Sequence, residues 1–123
     1  MKTGDLVSSG EVQTASLDLE IVAITYSASM AVDAASANKF KITLTGNGTI
    51  QNPTNGVDGR LIIFRLRQDG VGGRIPVWGT DYRFRGDLSS ITLSTSPNIE
   101  DRVAFEYVST DNKWDCVSYI KGS

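Results

Sequence analysis

The sequence predicts an all-β fold: a single antiparallel β-sandwich of jelly-roll type, with about eight strands over residues 21–123 and an extended N-terminal arm over residues 1–20. Three observations predict it. Short runs of β-branched and aromatic residues recur along the chain, several with strict period-two alternation. Clusters of Gly, Asn, Asp and Pro separate these runs. No stretch has the i, i+3, i+4 apolar spacing of an amphipathic helix.

Residues 1–20 contain no aromatic residue and scatter Leu6, Val7, Val12, Leu17 and Leu19 among polar and acidic neighbours, so they offer a core little and read as an arm. Ile21 to Tyr26 is short, β-branched and aromatic, a strand. Ser27 to Asn38 supports two readings. Its alanines favour helix by propensity, whereas its place between strands favours a short strand at Met30 to Asp33 followed by a turn. From Lys39 the alternation is clean, with Phe40, Ile42 and Leu44 on one face and Lys39, Lys41, Thr43 on the other.

Gly46-Asn47-Gly48 turns the chain, and Thr49 to Gln51 forms a short strand before the turn-rich run Asn52 to Gly59. Leu61 to Gln68 is a strong strand with Ile62, Phe64 and Leu66 inward. Its opposite face, Leu61, Ile63, Arg65 and Arg67, is half apolar, which predicts partial cover such as a partner would give. In Arg74 to Trp78, Pro76 lacks an amide proton and predicts an edge strand or a bulge. Further strands are expected at Ile91 to Leu93, Arg102 to Ser109 and Trp114 to Ile120, the last two joined through Asp111-Asn112-Lys113. No internal repeat is visible.

The 123-residue length fits one domain with a real core. Apolar runs of about four residues are far short of the roughly 20 that a membrane span needs. A net charge of -2 gives no pull toward phosphate backbones, so neither nucleic acid nor a membrane is an expected partner. Cys116 is the lone cysteine and histidine is absent, which removes Ser-His-Asp and Cys-His catalysis and the common zinc and haem ligand sets. No cofactor or metal is expected. The N-terminus, polar from Lys2 to Asp5, has no apolar signal region.

What chemistry remains is sparse. Glu100, Asp101, Glu106, Asp81 and Asp87 could supply a glycosidase carboxylate pair, but acids are also the ordinary surface of a soluble domain. Asp58-Gly59 and Asp69-Gly70 lack calcium-loop spacing and read as turns. Gly70 to Gly73 lacks the Gly-Lys-Ser/Thr of a phosphate loop. Trp114 reads as core, while Trp78, Tyr82, Arg83 and Arg85 are candidates for a ligand or interface surface. Arg85-Gly86-Asp87 matches an integrin-binding tripeptide, yet it also reads as a strand end passing into a turn.

The segments Phe40 to Asn47, Asn52 to Gly59, Gln68-Asp69, Gly72-Gly73-Arg74 and Val77-Trp78-Gly79, with Leu93 to Thr95, Phe105, Tyr107 and Lys113-Trp114, carry a resemblance. Together they resemble the small β-sandwich modules of tailed-bacteriophage virion proteins: head decoration proteins, head fibres and tail-fibre tips. The resemblance covers roughly residues 26–121 and contains no catalytic motif. Pro76 stands where such modules more often carry threonine.

The resemblance implies a non-enzymatic virion protein made in the host cytoplasm. With a short arm and neither shaft nor separate attachment region, the chain is expected to be a capsid decoration protein. Such proteins look like homotrimers on local three-fold positions, bound to the major capsid protein and cementing the shell. Leu6, Val7, Val12, Leu17 and Leu19 are the expected capsid-binding anchors, because an arm can add a strand to an exposed sheet edge and three arms multiply attachment. The alternative is a receptor-binding module of a tail or head fibre that takes a glycan on Trp78, Tyr82 and Arg85.

Overall fold

A computed structural model describes residues 21–122, so the anchors expected at Leu6, Val7, Val12, Leu17 and Leu19 lie outside the described residues. Nine strands form: β1 (Ile21–Ala23), β2 (Ser29–Met30), β3 (Lys39–Leu44), β4 (Thr49–Ile50), β5 (Leu61–Gln68), β6 (Val77–Trp78), β7 (Tyr82–Arg83), β8 (Glu100–Val108) and β9 (Lys113–Ile120). A single 3-10 turn covers Gly86–Leu88. The fold is all-β, as the alternation predicted.

The strands make two sheets. One is six-stranded in the order β1-β3-β5-β8-β9-β7, and the other three-stranded in the order β2-β4-β6. From β1 to β7 the chain alternates between them, and up to β6 each return to a sheet lands parallel to the strand laid down before: β1 with β3, β3 with β5, β2 with β4, β4 with β6. An isolated parallel bridge, Asp33 to Thr54, continues the same coil. Parallel neighbours need a long crossover, usually a helix. Here residues 24–38 and 45–60 make the crossovers and carry the second sheet's strands.

The expected antiparallel arrangement therefore holds only for β5, β8 and β9, where β8 pairs antiparallel with both neighbours. The rest of the described sheet is parallel, β7 with β9 included. The correction has a physical reason. Alternation fixes which face of a strand is buried, while pairing direction is fixed by where the loops carry the chain, and these loops cross over the core instead of folding back as hairpins. Ile91 to Leu93, expected as a strand, is irregular. Residues 27–38 resolve to β2, the Asp33 bridge and a turn, without helix.

Inward rows match across the main sheet. Phe40 lies beside Phe64 and Phe64 beside Val103; Ile42 lies beside Leu66; Ile62 lies beside Phe105, which faces Cys116. All are buried, and Met30 and Ile50 from the smaller sheet join the same core. The expected edge position of Pro76 is met, since it leads into β6, an outer strand of the smaller sheet.

Two sequence features gain a local explanation. Gly48 sits where successive coils pass closest: Thr49 N donates to Ala28 O at 2.9 Å, Val77 N donates to Gly48 O at 3.0 Å, and a Cβ on Gly48 would collide with Ser27 O. The stretch from Gln68 to Arg74 is a self-bonded turn. The Asp69 carboxylate accepts from Val71 N, Gly72 N and the Arg74 guanidinium, while the buried Gln68 amide bonds Arg74 and Ser94 backbones. Gly72 has φ +78 and faces Thr95 O too closely for any Cβ.

Candidate functional site

Among the described residues, the six-stranded sheet buries one face and leaves the other uncovered. Alternation puts Phe40, Ile42 and Leu44 inward and hence Lys39, Lys41 and Thr43 outward, and it does the same for Ile63, Arg65 and Arg67 on β5 and for Glu100, Arg102 and Ala104 on β8. Register then aligns them in rows. One row reads Ala23, Lys41, Arg65, Arg102, Ile120 across five strands, so three cations stand side by side. The row beside it toward β3's start reads Ile21, Lys39, Ile63, Ala104, Ser118.

Like charges directly opposite one another destabilise a sheet. Glu100 answers part of the row: Arg65 Nε donates to its carboxylate at 3.0 Å, and Arg67 lies 3.8 Å away. Lys39, Lys41 and Arg102 have no ion-pair partner among the described residues. An open groove of about 700 Å³ runs along this face, with Thr25, Tyr26, Lys41, Arg65, Arg67 and Glu100 in its wall. A smaller hollow of about 210 Å³ joins Ile21, Lys39, Ile63, Arg65 and Arg102. Ile21, Leu61 and Ile120 are 38%, 50% and 59% exposed, so the face mixes aliphatic and cationic side chains.

The residues singled out as ligand candidates lie elsewhere. Tyr82 is buried, its hydroxyl donates to Gln51 O at 2.8 Å, and burial pushes its ionisation far above the ordinary phenol range. Trp78 packs edge-on against Tyr82, Phe105, Phe64 and Phe84, with ring centroids 5.0 to 5.8 Å apart. Tyr82 is core, Trp78 is half-buried against that core, and Trp114 is core as expected. The stacking platform expected of Trp78 and Tyr82 is thus turned inward.

Arg83 and Arg85 converge on β9. Arg83 Nε bonds Asp115 at 2.5 Å and its Nη2 bonds Asp111 at 2.9 Å, while Arg85 Nη2 bonds Asp115 at 2.9 Å. Hydrogen bonds from Arg83 and then Arg85 hold the Asp115 carboxyl below the usual carboxylate range. The five candidate acids are dispersed: Glu100 faces out to arginine, and Asp101 faces in to Tyr119 OH and the Ser94 and Gly122 amides. Glu106 lies six positions along β8, about 20 Å from Glu100. Asp81 sits 3.8 Å from Lys113, and Asp87 lies in the 3-10 turn.

The sequence pointed toward the open face through the half-apolar outer side of Leu61 to Arg67, but not to the row of cations. Lys41, Arg65 and Arg102 are far apart in the chain, and only strand register brings them together. No protein-family profile matches this chain, and neither any curated protein nor any solved structure does so.

Proposed function

We propose that this chain is a non-enzymatic surface module of a tailed-phage virion, a capsid decoration protein that binds the outside of the shell as a homotrimer and cements it. The observation that carries the docking part of this reading is the open face of the main sheet, where Lys41, Arg65 and Arg102 are retained side by side at a cost to the sheet itself. A charge row that Glu100 answers only in part points to a binding role for this face. The virion assignment itself comes from the resemblance carried by Phe40 to Asn47, Asn52 to Gly59 and Val77 to Gly79. In fold terms the two sheets around one core suit a sandwich module, coiled in its first half and hairpinned in its second. Residues 1–20 supply the attachment arm to the major capsid protein. The glycan-binding alternative is weaker, because Tyr82 is buried and Trp78, half-buried, is engaged edge-on by four other rings.

Immunogold labelling of intact virions, with an antibody raised against the full chain, tests the proposal. Gold spread over the heads supports it. Gold confined to tail or fibre tips, or no labelling, overturns it.

A further inference from the structure

The open face carries more positive charge than its own acids answer, and the sequence begins with a segment of opposite character. Residues 1–20 hold Lys2 against Asp5, Glu11, Asp18 and Glu20, interspersed with Leu6, Val7, Val12, Leu17 and Leu19. The face presents the complement, with Lys39, Lys41 and Arg102 free of ion pairs among the described residues, and Ile21, Ile63 and Ile120 beside them. Connectivity also favours the match. The segment joins the sheet at Ile21, which itself lines the hollow formed with Lys39, Ile63, Arg65 and Arg102, and Glu20 is its covalent neighbour.

Reach is ample. Twenty extended residues cover up to about 70 Å, and six strands at about 4.8 Å spacing make a sheet about 24 Å across. Affinity need not be high either, because a tethered segment meets the face at an effective concentration in the millimolar range. Exposed ion pairs are individually weak, so burial of the aliphatic residues of the segment against Ile21, Ile63 and Ile120 contributes alongside them.

We propose that the outer face of the six-stranded sheet is a docking surface for residues 1–20 of the same chain, with the acids of that segment set against Lys39, Lys41 and Arg102. The contact relieves the like-charge row and covers the aliphatic residues around it. It belongs to the isolated protein and stands whether or not the protein decorates a capsid. On a shell, a partner that takes the arm uncovers this face at the same moment.

Zero-length carbodiimide coupling on the full-length protein tests it, since the reagent joins a carboxylate and a lysine amine as an amide only when the two touch. Mass spectrometry should find Asp18 or Glu20 joined to Lys39 or Lys41. The yield should fall severalfold between about 0.1 M and about 1 M salt, as the screening length shrinks from about 10 Å to about 3 Å. Coupling of the same two acids, Asp18 and Glu20, to Lys113, which pairs with Asp81 at 3.8 Å on another part of the sheet, gives the background. Coupling at Lys39 and Lys41 no stronger than at Lys113 overturns the proposal. Coupled pairs of mixed mass in a blend of ¹⁵N-labelled and unlabelled protein also overturn it, by assigning the segment to another copy. Arg102→Glu replaces one of the row's three cations with an acid while keeping both lysines; a severalfold loss of coupling supports the proposal, and an unchanged yield in a folded variant sinks it.

Discussion

Buried Asp101 reaches the exposed Gly122, whose amide donates to the Asp101 carboxylate at 2.8 Å. Ser94 N and Tyr119 OH donate to the same carboxylate, each at 2.7 Å. One buried acid thus ties the end of β9 to the irregular segment before β8. Burial alone would raise its pKa, but the two backbone amides and the phenol outweigh that and hold it below the ordinary carboxylate range. Burial, and then the bond to Asp101, pushes Tyr119 up and keeps its hydroxyl a donor.

Asp101→Asn should therefore destabilise the protein by about 2 to 4 kcal/mol, because the amide leaves donors facing donors in a buried site. The urea midpoint should drop with the slope unchanged. The pH dependence carries a sign. A carboxyl whose folded pKa is depressed contributes fully above its unfolded value, about 3.9, and loses that contribution as pH falls toward the folded value. Wild-type stability should fall below about pH 4, and Asp101→Asn should remove part of that slope. Asp33, Asp69 and Asp115, also depressed, should keep the remainder. An unchanged slope in the variant would contradict this account.

Much of the fold was legible because the signal was local. Phe40, Ile42 and Leu44, and likewise Ile62, Phe64 and Leu66, declared their buried faces by alternation alone. The Asp111 to Lys113 turn declared itself through residues that tolerate a left-handed backbone, as Asn112 does at φ 54. What stayed hidden was non-local. Short strands were expected near Met30, Thr49 and Trp78, but β2, β4 and β6 are two residues long, too short to show a period or to announce that they pair parallel in a second sheet. The site divided in the same way: the wet face of β5 was readable, but its alignment with Lys41 and Arg102 was not.

Gly48 tests the coiled crossover directly. It is buried with Ser27 O in the place a Cβ would take, so Gly48→Ala must push two coils apart. A loss of about 1 to 3 kcal/mol in chemical unfolding is expected. Gly70 supplies the comparison, since nothing lies near its missing Cβ and its φ is not positive. Gly70→Ala should be neutral or stabilising by up to about 1 kcal/mol. Equal effects from the two substitutions would speak against the close approach.

Trp78 separates a core role from a ligand role. From the smaller sheet its ring meets Phe64, Tyr82 and Phe105 of the six-stranded sheet, and Phe84 just after β7, so Trp78→Ala should cost about 3 kcal/mol in thermal or urea unfolding. Trp78→Phe keeps most of the packing and should cost less than half as much. A Trp78→Ala protein that unfolds like wild type would place the ring outside the core.

The Arg-Gly-Asp tripeptide has a structural answer. Arg85 Nη2 lies on Asp115 at 2.9 Å, beside Arg83 on the same carboxylate, and Gly86 takes φ +63 to start the 3-10 turn that holds Asp87. A receptor that reads this tripeptide needs both charged groups presented outward, whereas here the cation is already paired within the chain. Because Arg85 is largely exposed, Arg85→Ala should change stability by less than about 1 kcal/mol. Arg83→Ala should cost more, since that side chain bridges Asp111 and Asp115. In an adhesion assay on immobilised protein, integrin-bearing cells should attach no better to wild type than to Asp87→Ala. Attachment that a soluble Arg-Gly-Asp peptide competes away would show that the pair with Asp115 opens readily and that the turn is a ligand after all.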